Sequence, residues 1–488
     1  MQRLFGLTLL LLILIGSNVF AQEYDRCWPL GLMDGYINRG LANLVFRNDS
    51  VVLDTVYRDI RSNQTCASVS DSVGNMLFFG NGCVIGGANN DTLLNGDGMN
   101  PNSCPGNNCS VNGNVVAEGN LFLPDPGNSQ LFHLFHETCN SSTNLSPIAL
   151  YHSEVDLTLD SGRGAVTNKN AAIYADTLCD GSLTAVKHAN GRDWWIIVHS
   201  QGDSQFVRFL LSNSLITGPY FQSIGPVYND VGHGNSKFSP DGNWYASSTL
   251  LGGIDLYHFN RCNGLLSDYQ YLDFPDSMWY NTIEFSADSK VLYTFYMWDI
   301  YQFDLTATNV FGSKQLVAVH DNFQDTLGNY TVFWFPQLAP NGKIYVSTPG
   351  AMYLHVVDQP DSIGPACNVL QHSIALPCLN RIVPNFPNYR LGALDSIYCD
   401  TVDVILSEDY DSGLLTVYPN PASEQVYIKA NTPGEEIREC ILFDSTGRIA
   451  LTHANTSELQ VALLANGFYY LEVQTNQRRY FRKLLIEN

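Results

Sequence analysis

Two histidines beside an acid are the first residues in this 488-residue chain whose types suit chemistry: His133-Leu-Phe-His136-Glu137. A zinc hydrolase would hold such a pair on one helix face, one turn apart. The flanking Gln130-Leu131-Phe132, after a Gly-Asn-Ser turn, instead reads as strand, on which His133 and His136 point to opposite faces. Glu154 and Asp156 do share a strand face, with Asp160 beyond, as carboxylates for acid–base chemistry or calcium would. Solvated strand residues in an acidic chain produce the same pattern. Asn95-Gly96-Asp97-Gly98-Met99-Asn100 is rich in oxygen but lacks the spaced acids and terminal glutamate of a calcium loop. Ser200, Ser236 and Ser239 have His199 and His233 nearby, yet no Gly-x-Ser-x-Gly elbow exposes a nucleophile. The expectation is therefore no catalytic residue, no metal ligand and no resident cofactor, calcium being the one ion the oxygen-rich residues would suit.

Aromatic residues offer a different chemistry. The faces of Trp194, Trp195, Trp244, Trp279, Tyr280, Trp298 and Trp334 suit the apolar faces of sugars, although packing between sheets uses the same side chains. The formal net charge is −22, and loss of a leader containing only Arg3 makes it −23, a surface that repels nucleic acid and anionic lipid. Hydrophobic residues make up 45% and charged residues 15%, enough apolar surface for large cores.

The elements that must position these residues announce themselves by a repeated turn. Phe238-Ser-Pro-Asp-Gly242-Asn-Trp-Tyr-Ala246, Phe285-Ser-Ala-Asp-Ser289-Lys-Val-Leu-Tyr293 and Leu338-Ala-Pro-Asn-Gly342-Lys-Ile-Tyr-Val346 each join a strand end, a tight turn and an outgoing strand. Weaker copies surround Gly74, Gly127 and Gly191, so the six markers step by 53, 64, 51, 47 and 53 residues. A period near fifty with several short strands per step marks β-propeller blades, each a sheet that needs its neighbours to bury both faces. With the leftover sequence at Trp28 to Asn48 and Cys367 to Tyr389, the count predicts seven blades, the last closed by strands from both ends. Six or eight blades and a tandem two-sheet sandwich are the rivals.

Arg3, the apolar run Leu4 to Ile15 and the small residues before Ala21 read as a signal peptide cleaved between Ala21 and Gln22. Twelve apolar residues are too few for a hydrocarbon core that needs about 20 in a helix, and no later stretch is long enough to span. All twelve cysteines lie beyond Gln22, an even number that in an exported chain favours disulfides, with Cys104-Pro-Gly-Asn-Asn-Cys109 a small loop suited to its own bridge. No paired Cys-x-x-Cys spacing supports zinc.

The tail opens Leu415-Thr-Val-Tyr418-Pro419-Asn420-Pro421 and continues as five apolar or alternating runs, Gln425 to Ile428, Glu439 to Phe443, Leu459 to Leu463, Gly467 to Val473 and Tyr480 to Ile486. Five short strands make a compact β-sandwich, entered through an extended segment whose prolines donate no ladder hydrogen bonds and carrying a hairpin at Asp444-Ser-Thr-Gly447-Arg448.

These landmarks, Tyr-Pro-Asn-Pro, Phe-Asp-x-x-Gly-Arg, Gly-x-Tyr-Tyr and the final Lys-hydrophobic-hydrophobic-Ile, resemble in order the type A C-terminal sorting domain of the type IX secretion system. The resemblance implies an immunoglobulin-like module, export by the type IX machinery, removal of the tail, and anchoring to surface lipopolysaccharide or release. It carries sorting roles to Tyr418, Pro419, Asn420, Pro421, Gly467, Tyr469, Lys483 and Ile486. Ala67 to Phe79, Tyr151 to Leu159, Leu183 to Trp195 and Gln337 to Tyr345 are similar to the propeller ectodomains, of WD40/YVTN-like kind, fused to sorting or gliding-motility-associated C-terminal domains. That group implies no ligand or reaction, and the insertion Asn89 to Cys109 departs from it.

The expected organisation is all-β: a signal peptide (1–21), a β-propeller (22–400), a linker (401–414) and the sorting domain (415–488). Two functions fit this organisation. One is non-catalytic recognition of a glycan or protein at the cell surface or in the medium. The other is an extracellular propeller hydrolase or lyase acting on a polymer, calcium-assisted, with acids near the central channel. Fold alone does not choose between them.

Overall fold

The computed structural model describes residues 23–32, 40–48, 50–100, 109–139, 146–228, 234–248, 252–273, 281–394, 415–432, 434–443, 449–476 and 479–487. The chain divides into two compact units, the second carrying residues 393–488 with the short segments 188–191 and 260–265. The signal-peptide residues Ala21 and Gln22, the linker 401–414, His233, Trp279, Tyr280, Cys104 and the hairpin Asp444–Arg448 lie outside the described residues.

The first unit is a β-propeller of seven sheets taken in chain order. Blade 1 is Cys27–Leu30, Leu41–Arg47 and Ser50–Val56; blade 2 is Ala67–Ser70, Met76–Gly80 and Ile85–Gly87. Blade 3 is Asn120–Pro124, Leu131–Cys139 and Pro147–Asp156 with Ala165–Val166 and Ala171–Tyr174 beside the last. Blades 4 to 7 are four-stranded meanders starting at Thr184–Lys187, Ser236–Phe238, Asn281–Phe285 and Pro336–Leu338. Every marker turn falls between the first and second strands of a blade, from blade 2 to blade 7. The chemistry of that turn is local: Asp241 accepts from Asn243 N and Asp288 from Lys290 N, while Gly242 and Gly342 take positive φ values of 73° and 76°.

Neighbouring blades bury their apolar faces against each other, as a four-stranded sheet must. Phe78 meets Phe122 across blades 2 and 3 at 5.0 Å, and Phe206 meets Tyr245 across blades 4 and 5 at 5.5 Å. The ring closes where Trp28 and Phe46 of blade 1 pack edge-on against Tyr345 of blade 7, at 5.7 and 5.2 Å. Closure differs from the sequence expectation, because among the described residues no blade mixes strands from the two ends. The ends are instead joined by Leu32 N donating to Leu379 O (2.8 Å), Gly31 N to the Asn380 side chain (3.1 Å), and Arg390 forking onto Asp25 (2.6 and 2.7 Å).

In the tail, Leu415–Tyr418, Gln425–Ala430 and Glu458–Gln460 form one sheet, and Ile449–Ala454, Ile437–Phe443, Gly467–Thr475 and Arg479–Ile486 the other. All five expected strands are present. Two more join them: Leu415–Tyr418, paired with Gln425–Ala430 because the ladder uses the residues before Pro419, and Ile449–Ala454, paired with Ile437–Phe443. Leu415, Val426, Ile428, Cys440, Leu442, Leu471, Leu484 and Ile486 belong to a core of its own.

Cysteine chemistry also departs from expectation. Cys109 is bonded to Cys83, not to Cys104, and the bridge pins the Asn89 to Cys109 insertion at its base. Cys262 is bridged too. Cys27, Cys66, Cys179, Cys367 and Cys440 are free thiols; all but Cys179 are buried, Cys27 and Cys440 on strands, where they serve as small apolar side chains.

Candidate functional site

Adjacent first strands pack against one another and so line the axis of the propeller. Lys237, on the first strand of blade 5, donates to Glu118 before blade 3 (2.8 Å), to Gln337 of blade 7 (3.1 Å) and to Asn385 (3.1 Å). One side chain reaches blades 3 and 7 together only across the axis. Asn385 belongs to the segment after the last strand, which threads the same space: Asn385 N donates to Cys66 O, Asn388 to Pro240 O and Tyr389 OH to Phe122 O. Two acids of the described residues meet here, Glu118 and Glu284, both buried. Glu284 accepts from Phe285 N and Leu338 N, and burial raises its carboxyl to about 7 against the pull of Lys237. Burial also raises Glu118 despite the ammonium beside it. These acids are internal struts around a lysine, enclosed by the chain's own segment.

Of the tryptophans named as a sugar platform, Trp194, Trp195 and Trp334 are buried, and Trp244 is stacked on His258 at 3.8 Å. Trp298 differs, being 45% exposed at the tip between the second and third strands of blade 6. The connection from blade 6 to blade 7 folds back beneath it, with His320 N donating to Trp298 O (2.7 Å) and Phe333 N to Met297 O (2.9 Å). In an antiparallel meander that tip and that connection share one end, opposite the marker turns. Tyr330, 47% exposed, stands 5.7 Å from Trp298 at 70°, and the His320 ring lies 5.2 Å from Trp298. The loop is rigid by construction: the buried Asp325 carboxylate accepts from Leu327 N, Asn329 N, the Asn329 amide and Met352 N. Alongside, Asp321 accepts from His372 (2.8 Å), whose ring stacks on Phe323 at 4.0 Å. The result is two exposed ring faces with partly exposed acid and imidazole groups at the margin. Sequence reading named Trp298 but missed Tyr330 and His320, which only the folded connection brings to it.

Blade 3 holds the histidines, and His133 and His136 do project to opposite faces. His136 meets Asn100 (2.7 Å) and Ser153 (2.9 Å), tying the insertion to the blade, and burial lowers its imidazole to about 3. His133 meets Asp125 at Nε2 (2.9 Å) and His152 at Nδ1 (2.8 Å). Burial pushes the Asp125 carboxyl up, but hydrogen bonds from Ser214, His133 and Gly127 N leave it below the usual range. Glu154 comes close to both histidines, potential ligand atoms of the three lying within 4.8 Å of one another. Asp156 instead caps Thr158, and Asp160 starts a short 3₁₀ turn. The His-x-Glu alternation at 152 and 154 was the available signal, but the strand pairing that adds His133 was not.

The serines are structural: Ser236 bonds Ser247, Ser239 bonds Asp241, and His199 Nδ1 faces the Ser200 carbonyl. In the tail, Tyr418 is half-exposed, Asn420 accepts from Leu485 N (2.8 Å), and Tyr469 OH donates to Ala465 O (3.0 Å). Ile486 is buried, with Gly467 opposite it and Lys483 on the same final strand. Pro419 and Pro421 flank Asn420 just after the first strand.

Residues 416–487 match the secretion system C-terminal sorting domain. The protein is thus a type IX secretion substrate, exported to the cell surface or secreted, and its tail engages that machinery. No described helix is long and apolar enough to cross a membrane. No curated protein matches the sequence. Among solved structures, a Lactobacillus plantarum protein is 13% identical at a TM-score of 0.42, covering 74% of this chain and 99% of that one. A periplasmic gluconolactonase of Pseudomonas aeruginosa is 12% identical at a TM-score of 0.36, covering 94% and 99%. The seven consecutive sheets, rather than these likenesses, define the propeller.

Proposed function

We propose that the propeller is a non-catalytic recognition module that binds a glycan across the Trp298–Tyr330 surface. The observation that carries this reading is the exposure of two aromatic faces on a braced loop, in a molecule whose other described tryptophans are packed away or stacked. Ring faces bury the apolar side of a sugar, and Asp321 and His372 at the margin suit its hydroxyls. An acidic surface argues against polyanionic partners and leaves neutral glycans favoured. The hydrolase reading needs solvent-facing acids near the channel, whereas Glu118 and Glu284 are buried and engaged.

Export with a cleaved leader ending at Ala21, later loss of the tail, and anchoring on lipopolysaccharide or release complete the proposal. Sorting contacts are assigned to Tyr418, Pro419, Asn420, Pro421, Gly467, Tyr469, Lys483 and Ile486. Screening the purified protein on neutral oligosaccharides, followed by calorimetry, is the test. Trp298→Ala and Tyr330→Ala should each weaken binding about tenfold, equivalent to about 1.4 kcal/mol, with unchanged melting temperature. Binding that survives the double variant, or polymer cleavage abolished by Glu284→Gln, would overturn the reading.

A further inference from the structure

We propose that blade 3 carries a transition-metal site, of the kind zinc occupies, made by His133, His152 and Glu154 and oriented by Asp125. The site is distant in the fold from the aromatic surface, lying at the opposite end of the blades, where the marker turns are, and it does not depend on the glycan reading.

Hydrogen bonding fixes the tautomer of His133. A carboxylate at Nε2 accepts that nitrogen's proton, so the neutral ring keeps its lone pair at Nδ1, directed at His152 Nε2 2.8 Å away. This carboxylate–imidazole arrangement is the usual outer support of a metal-bound histidine. The two rings lie nearly parallel, 22° apart, so both edges face one space, and Glu154 on the same strand face as His152 supplies an oxygen. Two imidazoles and one carboxylate are the donor set of three-ligand zinc sites, which leave a further position for water. Carbonyl and carboxylate oxygens, which calcium requires in number, are not what converges here.

Loading the site asks for small movements. His152 passes its Nε2 proton to Nδ1, leaving net charge unchanged and both lone pairs facing the ion. Bonds of about 2.0–2.1 Å in tetrahedral geometry separate ligand atoms by about 3.3 Å, so the histidine nitrogens part by about half an ångström. Glu154, only partly buried, swings in from the solvent side. His133 and His152 are almost fully buried and already held in place, so most of the site is built before the ion arrives.

The experiment is calorimetric titration of tag-free, chelator-treated protein with zinc chloride, with calcium chloride as a separate probe and cobalt as a spectroscopic reporter. We expect one zinc per chain, visible-range cobalt absorption of four-coordinate type, and no comparable calcium heat. His152→Asn and Glu154→Gln should each weaken zinc at least tenfold, and Asp125→Asn about 10–100-fold while the ligands remain. If the buried histidine variant fails to fold, Glu154→Gln, at a partly exposed position, still decides. Absence of zinc binding, affinity unchanged in Glu154→Gln, or preference for calcium would each overturn the assignment.

Discussion

Glu284 shows how a single side chain on the axis ties stability to pH. Its carboxyl, raised to about 7 by burial, binds its proton more tightly folded than unfolded. Its contribution is therefore complete below about 4.5 and lost as pH rises through 7, on the order of 3 kcal/mol across that window. Buried His199 and His355, lowered by burial to about 4 and 3, act in the opposite sense, destabilising the fold as pH falls below about 6.5. Comparison of wild type with Glu284→Gln cancels the histidines. Urea unfolding at pH 5 and 7.5 should show the variant losing less stability on the alkaline side, and equal losses would remove Glu284 from the account. The sequence named neither Glu118 nor Glu284, since acids on or just before short strands look like any solvated charge until the strands are gathered on an axis.

At the scale of elements, the returning segment after Asn380 and the first strands of the blades form one unit through Lys237. Removing one partner of a buried ion pair strands the other, at about 3–5 kcal/mol, whereas replacing both with apolar groups is often neutral. Lys237→Met should accordingly lower the denaturation midpoint sharply, and Lys237→Met with Glu118→Leu should recover most of the loss. A double variant no better than the single would mean the lysine's other partners, Gln337 and Asn385, carry the cost. Strand placement itself was readable, because the turn chemistry at Gly242, Ser289 and Gly342 is local. Closure was not, because the contacts joining Trp28 to Tyr345 and Asp25 to Arg390 span over 300 residues of sequence.

For the whole molecule, the sorting domain and the propeller have separate cores, so each can be tested apart from the other. A chain ending before Leu415 should keep the propeller's melting transition yet accumulate in the periplasm of its native cell, which cell fractionation would show. Equal surface or medium levels with and without the tail would deny it the sorting role. The free thiols also bear on the whole: disulfide-based stability cannot be general when Cys27, Cys66, Cys367 and Cys440 are buried as thiols.

The sequence by itself determined the all-β class, the fifty-residue period with its hairpin turns, the opposed faces of His133 and His136, and the sorting tail, because each is written in neighbouring residues. Only the tertiary structure decided that Cys109 pairs with Cys83, that Trp298 stands exposed beside Tyr330, that the axis is filled around Lys237, and that His152 and Glu154 meet His133. Those facts depend on strand register and ring closure, which bring together residues whose spacing along the chain carries no signal of their contact.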